Sequence, residues 1–206
     1  MSAWIHTFNG HEVDLINPKV DTVDAIDIAH SLSQLIRFTG HCTQPYSVGQ
    51  HSVVGSVLAE VIYPEVKWLP QEFLLHDSPE AYVGDVSSPL KSILPGYREI
   101  EDKHRKAIEL KFCVSLGSAW EKKVDLRMLA TEQYLYMPEQ VTPWDLKEDP
   151  FIFEEFYLAF KALDNSRGRA ETPVGAIELF WDSLWEVWSP ERTEHTFLSR
   201  MEKLGL

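Results

Sequence analysis

The sequence has little cysteine and little positive charge. Its 206 residues include two cysteines, Cys42 and Cys113, and 19 lysines and arginines against 32 aspartates and glutamates, giving a formal net charge of −13. Two cysteines without paired spacing exclude a disulfide framework and a zinc knuckle, so we expect both to be reduced and structural. So acidic a chain is not expected to bind a nucleic acid polymer or an anionic membrane, because both require a cationic face.

Long apolar runs and glycine-rich phosphate loops are also missing. No segment is apolar enough to span a bilayer, and no secretory or lipidation signal is visible, so we expect a cytoplasmic protein. The sequence contains neither a P-loop nor a dinucleotide-binding loop, which disfavours ATP-driven transfer. Neither cysteine lies in the electropositive setting that a nucleophilic thiolate requires.

What the sequence does contain predicts an all-α fold behind a small N-terminal β-hairpin. Trp4 to Leu15 alternates around Asn9-Gly10, a dipeptide suited to a tight hairpin turn. A hydrophobic fraction of 44% allows one core, and no break in composition or repeat divides residues 1–206, so we expect a single domain. Apolar residues at helical spacing predict helices over 25–38, from 47 onward, across 76–80, and over 97–112, 118–136, 151–163, 173–187 and 190–204. Turn-forming residues predict loops over 84–91 and 165–169.

Local signals place the ends of several helices. Asp24 is a plausible cap for the helix over 25–38, whose last turn would include Arg37. Ser47 with Gln50, and Ser118 with Glu121, have the spacing of capping boxes. Proline is expected at the first helical position of the two C-terminal helices, at 173 behind Thr172 and at 190 behind Ser189, and Gly205 can end the chain's last helix.

Four scattered residues, His51, the adjacent pair His76-Asp77, and Asp125, supply imidazole and carboxylate groups without a softer ligand. This donor set suits a borderline or hard metal that activates water. Glu80 follows His76 by one helical turn, so on a helix the two would share a face. Glu80 therefore becomes the candidate general base or acid, and Asp77 serves as both ligand and catalytic residue.

Plainer interpretations stand beside this hypothesis. His51, the pair His76-Asp77, and Asp125 can each be ordinary helix-end or surface groups when taken alone. Arg37 offers a planar fork for phosphate and Lys91 a mobile point charge, but both they and Asp85 can also be solvated surface charges. Other charged and aromatic residues have structural interpretations: His30 as a buried imidazole supporting the site, Glu132 as a structural group or a group behind the ligands, and Trp181, Trp185 and Trp188 as core or interface residues. The charges over 98–106 can form a solvated helix face, and the alternative is that some of the basic ones reach a polyphosphate tail.

The ordered set resembles the HD-domain metal-dependent phosphohydrolases, most closely the bacterial and phage deoxynucleotide phosphohydrolases. The matching strings are Ile28-Ala29-His30-Ser31-Leu32, Arg37-Phe38, residues 46–52 with His51, residues 75–81 with His76-Asp77 and Glu80, Gly84-Asp85, Pro89-Leu90-Lys91, and residues 125–132 beginning with Asp125. The resemblance covers a motif-bearing core of about 20–138, and beyond it the helical C-terminal extension over 151–206 is similar only in being helical.

This resemblance implies a helical bundle in which His51, His76, Asp77 and Asp125 bind one divalent metal of the Zn, Co, Mn or Fe type. It implies that Arg37 and Lys91 hold phosphate, that Glu80 handles a proton, and that Asp85 lies near the sugar or a second metal. Phe38 stands where some relatives stack a tryptophan on the nucleoside. A weaker second ion, Mg or Co, near Glu80 and the substrate phosphates is left open.

The function expected from the resemblance is hydrolysis of a small-molecule deoxynucleotide. The short loops and the short spacing from Arg37 to His51 resemble those of phage-type relatives, and this resemblance favours a dNTP triphosphohydrolase with dATP as the leading substrate. A 5′-deoxynucleotidase acting on dNMPs is the alternative, with hydrolysis of a signalling nucleotide further behind. A nucleotide-binding regulatory module with an idle site is the alternative outside enzymes, and the family resemblance together with the aromatic C-terminal helices predicts a homo-oligomer.

Overall fold

The computed structural model describes residues 3–142, 144–168 and 172–206. It begins with the predicted hairpin, in which β1 (Trp4–His6) pairs antiparallel with β2 (Glu12–Asp14). Gly10 has a φ of +81° at the turn, a conformation that glycine adopts without a steric penalty. Val13, 1% exposed, anchors the hairpin to the core.

The remaining regular structure is helical, which confirms the predicted all-α class. The helices are α1 (Ala25–Gln34), α2 (Val48–Ile62), α3 (Leu69–Leu75), α4 (Glu80–Val83), α5 (Ser88–Ile93), α6 (Tyr97–Phe112), α7 (Ala119–Tyr136), α8 (Phe153–Ser166), α9 (Val174–Trp185) and α10 (Pro190–Leu204). The predicted bounds of α6 and α10 are confirmed. None of the helices in the described ranges has the length and apolar character needed to cross a bilayer.

Helix α2 lies at the centre and contacts α1, α3, α7, α8 and α10. Ser47 caps its first turn by accepting a hydrogen bond from the backbone N–H of Gln50 at 3.1 Å. Most of its side chains are buried, and hydrophobic residues from the hairpin to α10 form one cluster around it. The polar His51 in the first turn of α2 is thus carried into the protein interior by a helix that packs on all sides.

The predicted extension of α1 to Phe38 is wrong, because α1 ends at Gln34. From Leu35 the chain is extended and pairs with the segment before α2. The N–H of Arg37 donates to the carbonyl of Tyr46 at 3.0 Å, and the N–H of Val48 donates to the carbonyl of Leu35 at 2.9 Å. This pairing supplies the backbone hydrogen bonds that another helical turn would have supplied, and it brings Arg37 beside α2.

The single helix predicted to bear His76, Asp77 and Glu80 is also interrupted. Helix α3 ends at Leu75, and a tight turn follows before α4 begins at Glu80. Pro79 has no N–H to donate to the carbonyl of Leu75, which instead accepts from Ser78 at 3.0 Å. The predicted loop over 84–91 is shorter than expected, since α5 begins at Ser88 and carries Lys91.

The C-terminal helices differ from the prediction mainly at their ends. Helix α8 extends to Ser166, so the predicted loop over 165–169 begins later, and its position 169 lies outside the described residues. Pro173 precedes α9 by one residue, and Thr172 donates to Asp164 without capping the helix. Ser189 and Gly205 bound α10 as predicted.

The side chain of Gln50 does not complete the capping box expected at α2. Its Nε2 donates to the carbonyls of Leu184 at 3.1 Å and Glu186 at 2.6 Å, and its Oε1 accepts from the N–H of Trp188 at 3.1 Å. Gln50 thereby satisfies buried backbone groups in the link between α9 and α10. The residue next to His51 thus attaches the C-terminal helices to the centre of the fold.

A first prediction concerns the close approach of α2 to α3 at Gly55. A Cβ at this position would lie 2.0 Å from Cε1 of Phe73, whose ring packs against both His51 and His76. We expect Gly55→Ala to destabilise the fold by about 1–3 kcal/mol through overpacking, measured as a lower midpoint in urea unfolding. Gly175→Ala in α9 is the matched control, because a Cβ there meets nothing within 4 Å. Equal effects of the two changes would contradict the close packing of α2 on α3.

Candidate metal centre

Residues from two parts of the fold converge on a buried cluster of three potential metal ligands. His51 lies in the first turn of α2, and His76 and Asp77 lie in the turn between α3 and α4. Each offers one ligand atom, and the three atoms all lie within 4.8 Å of one another. The Nε2 atoms of the two histidines are 3.3 Å apart, and Nε2 of His76 is 3.2 Å from Oδ2 of Asp77.

Both imidazole rings are oriented by partners on their other nitrogen. Nδ1 of His51 is 2.6 Å from Oε1 of Glu132, and Nδ1 of His76 is 2.6 Å from the carbonyl of Phe73. A carboxylate and a carbonyl only accept, so each Nδ1 carries the proton. In its neutral form each ring therefore presents an Nε2 lone pair to the cluster, and this is the form in which protein histidines bind metals.

The spacing of the cluster fits a single ion. Two donor atoms that each lie about 2.0–2.2 Å from one ion are separated by about 3.0–3.5 Å. The distances of 3.3 Å between the imidazole nitrogens and 3.2 Å from His76 to Asp77 fall in this range, and Oδ2 of Asp77 lies 3.8 Å from Nε2 of His51. The residues can therefore hold a metal ion without a rearrangement of the backbone.

Asp125 approaches the cluster from α7 but is not part of the mutually close set. Its Oδ1 lies 3.7 Å from Nε2 of His51, while its Oδ2 lies 3.8 Å from Nζ of Lys122. Asp125 and Glu132 are seven residues apart on α7 and so share one face of that helix. The structure thus brings all four predicted ligands to one region, with Asp125 at its exposed side.

Charge governs the protonation of the cluster. Burial lowers the pKa of His76, but the neighbouring Asp77 and Asp125 outweigh burial and raise it to about 10. Burial raises the pKa of Asp77, but the histidines and Arg37 hold it well below its usual range. Without an ion, the cluster therefore has an ionised Asp77 beside a protonated His76.

Arg37 is fixed beside the cluster by a fully buried carboxylate. Its Nε and Nη2 each lie 3.0 Å from Oε2 of Glu132, and its Nη1 lies 3.5 Å from Oδ2 of Asp77. Burial lowers the pKa of Arg37, but Glu132 and Asp77 more than compensate, so the guanidinium stays charged. Glu132, predicted as a group behind the ligands, thus binds His51 through one oxygen and Arg37 through the other.

Phe38 and Thr39 follow Arg37 in a left-handed conformation, each with a φ of +55°. The ring of Phe38 lies 5.4 Å from Cζ of Arg37 and 5.9 Å from the ring of Trp144. The structure therefore places Phe38 at the arginine, and Trp144 is a neighbour that no sequence pattern indicated. Strained backbone of this kind persists only where its surroundings hold it.

Glu80 and Lys91 form a pair near the cluster. Nζ of Lys91 lies 3.2 Å from Oε1 of Glu80 and 2.6 Å from Oε1 of Glu101 on α6, while Oε2 of Glu80 is buried with no hydrogen-bond partner among the described residues. Burial and the charges of Asp77 and Asp85 raise the pKa of Glu80 well above its usual value. Burial and Asp77 also raise the pKa of Asp85, although Arg37 opposes them.

Two expectations about residues around the site, those for His30 and Glu101, are wrong. His30 does not support the cluster, because it is half-exposed, stacks on Phe8 and pairs with Glu194 of α10 at 2.9 Å. Glu101 was expected on a solvated face, but its side chain is only 13% exposed. Sequence spacing places Glu101 on α6 but carries no signal that this face of α6 meets Lys91 of α5.

The helical fold and the buried histidine–histidine–aspartate cluster define an α-helical protein with a candidate metal centre. No family model matches the chain. The chain is 39% identical over 136 residues to the uncharacterized protein YfdR of Escherichia coli, a match that covers 64% of this chain and 71% of YfdR. It is 34% identical over 115 residues to an uncharacterized protein of Rhodobacter capsulatus, covering 53% of this chain and 58% of that relative. The chain belongs to the family of YfdR.

A second prediction tests the role of Glu132 behind the histidine. In Glu132→Gln the amide still accepts one hydrogen bond, but the charge that holds both His51 and Arg37 is lost. We expect affinity for Zn²⁺ or Mn²⁺ to fall by about 10–100-fold, measured by competition with a chromogenic chelator. Glu139→Gln, at an exposed position beyond α7, is the control. Unchanged affinity in Glu132→Gln would separate the carboxylate from metal binding.

Proposed function

We propose that this protein is a metal-dependent phosphohydrolase of deoxynucleotides. The observation that carries the proposal is the convergence of the two imidazole Nε2 atoms and Oδ2 of Asp77 within 4.8 Å, beside a buried arginine. Hydrolysis of a phosphate ester requires an ion, a cation for phosphoryl oxygens and a group that transfers a proton. This part of the fold offers a candidate for each.

His51, His76 and Asp77 would hold the ion, with Asp125 as a fourth ligand at the exposed side of the cluster. When bound, a divalent ion supplies Lewis-acid chemistry, since it lowers the pKa of water and takes up charge that develops on phosphoryl oxygens. Glu132 keeps the ring of His51 in the required tautomer through the contact of 2.6 Å at Nδ1. The carbonyl of Phe73 does the same for His76.

Arg37 orients the phosphate. Because Glu132 occupies Nε and Nη2, Nη1 is the nitrogen left nearest to Asp77 and the cluster. A phosphoryl oxygen bound there accepts from a guanidinium that is already fixed, so little side-chain entropy is lost on binding. The rigidity of Arg37 thus favours one orientation of the phosphate relative to the ligands.

Glu80 transfers the proton. Burial and the charges of Asp77 and Asp85 favour its protonated form, so the group suits donation to the leaving oxygen of the deoxynucleoside. Oε1 is occupied by Lys91, and Oε2 has no partner in the described structure. Oε2 is therefore the atom available to exchange a proton.

The charges around the site favour a dNMP over a dNTP as the substrate. Arg37 is paired with Glu132, Lys91 with Glu80 and Glu101, and Lys103 and Arg105 with acidic neighbours on α6. A triphosphate requires several cations for its charge, whereas a monophosphate is served by one ion and Arg37. We therefore place the 5′-deoxynucleotidase ahead of the dATP triphosphohydrolase that the spacing of the motif favours.

A third prediction follows for a substrate panel. Protein supplied with Co²⁺, Mn²⁺ or Zn²⁺ is expected to release inorganic phosphate from dNMPs, measured colorimetrically, with ribonucleotides and dNTPs in parallel. Intact triphosphate from dNTPs, resolved by anion exchange, would instead support the triphosphohydrolase. His76→Ala should abolish release because it removes a ligand, while His6→Ala on the exposed hairpin should not. Bound nucleotide without turnover for any substrate would favour the idle binding module.

A fourth prediction separates proton transfer from metal binding. Glu80→Gln keeps the size of the side chain but cannot donate or accept the catalytic proton. We expect kcat to fall by about 10²–10⁴-fold with metal content unchanged, measured by steady-state kinetics and elemental analysis. Glu65→Gln, an exposed position before α3, should match the wild type. Loss of the metal together with activity would assign Glu80 to the ligand set.

A further inference from the structure

Helix α6 places a largely buried acidic residue against Lys91, although this helix carries none of the motif residues. Glu101 lies one turn after Tyr97, and its carboxylate accepts from Nζ of Lys91 at 2.6 Å. The side chains of Glu101 and Lys91 are 13% and 18% exposed, so this contact is largely removed from water. Hydrogen bonds between charged groups in such surroundings are among the stronger ones in proteins.

Lys91 is held from three directions. Its ammonium donates to Glu101 and, at 3.2 Å, to Glu80, and it lies 5.7 Å from the ring centre of Tyr97. The hydroxyl of Tyr97 donates in turn to the carbonyl of Gly84 at 2.9 Å, which fixes α6 against the loop that follows α4. A lysine side chain has four flexible methylene groups, so its position depends on such partners.

This arrangement changes the role expected for Lys91. A lysine that binds phosphate needs free donors, but the ammonium of Lys91 already donates to two carboxylates, those of Glu101 and Glu80. Its other contact occupies Oε1 of Glu80 and leaves Oε2 as the free carboxyl oxygen. The ammonium therefore selects which oxygen of Glu80 is available and restricts the rotation of the carboxyl group.

We propose that Glu101 is a positioning residue that holds Lys91 against Glu80 and thereby orients the carboxyl group for proton transfer. The catalytic consequence of this proposal rests on the proposed hydrolysis. The contacts of Lys91 with Glu101 and Glu80, which we call the lysine lock, can be measured without turnover. In this role Glu101 acts through Lys91 and not on the substrate, so its removal is expected to change the orientation of Glu80. Substrate binding at Arg37 is left intact.

The first arm of the test measures how firmly the lysine lock holds the ammonium group of Lys91, and it needs no turnover. In the ion-free wild type, the ammonium hydrogens of Lys91 should exchange slowly with water in ¹⁵N-detected NMR, with the signal assigned by its loss in Lys91→Met. Glu101→Ala should make this exchange as fast as that of exposed lysines, while Glu99→Ala, on the exposed face of the same helix, should not. Fast exchange of Lys91 in the wild type would overturn the proposal whatever the enzyme hydrolyses.

The second arm measures catalysis on the substrate found in the panel. Glu101→Ala should lower kcat by about tenfold with KM within about twofold, whereas Glu101→Gln, whose amide oxygen still accepts from Lys91, should restore most of kcat. The losses of kcat in Glu101→Ala and Lys91→Met should not add in the double variant, because both changes disrupt the same lysine lock. A rise in KM with unchanged kcat would assign Lys91 to phosphate binding and overturn the positioning role. The protein could instead hydrolyse no nucleotide while exchange at Lys91 is slow and depends on Glu101. This result would confirm the lysine lock and overturn the proposed function.

Discussion

The candidate site depends on one buried carboxylate, that of Glu132. It is fully buried, and burial alone would raise its pKa, but Arg37 and His51 hold the pKa below its usual value. An ionised carboxylate in this position is tolerated only because two donors compensate for the loss of water. Removing Arg37 or His51 takes away one of these partners from a buried charge, so α7, α2 and the segment after α1 are constrained to meet at this point.

Two backbone features bring the ligands within reach of that point. Gly55 lets the ring of Phe73 lie directly against α2, which brings α3 and the turn after it close to His51. Pro79 interrupts the helix after Leu75, so His76 and Asp77 lie in a turn where both side chains can approach the same position. A continuous helix would separate consecutive side chains by about 100° of rotation, which makes convergence of neighbours harder.

These features explain how much the sequence could predict. Hydrophobic spacing, turn residues and caps are local signals, and they were sufficient for the hairpin, α6 and α10, whereas Glu132 was singled out as part of the matching string that begins with Asp125. The end of α1 was not predictable in the same way, because the competing bridge between Ile36 and Ser47 joins residues that are distant along the chain. Glu101 and Trp144 were missed for the same reason, since each acts through a contact with another element and neither belongs to a periodic or spaced pattern.

The chemistry of the cluster follows from its excess of acidic groups. Asp77 and Asp85 lie close enough to Glu80 to raise its pKa, and Asp77 also raises the pKa of Asp85, in a protein whose formal net charge is already −13. Such a group of carboxylates is stable only if positive charge is present among them. Without an ion, protonated His76 supplies part of that charge, and its Nε2 lies 3.2 Å from Oδ2 of Asp77 and 3.3 Å from Nε2 of His51. A divalent ion at the same position would satisfy both imidazoles and the aspartate at once, so the proton and the ion are alternative occupants of one place in the fold.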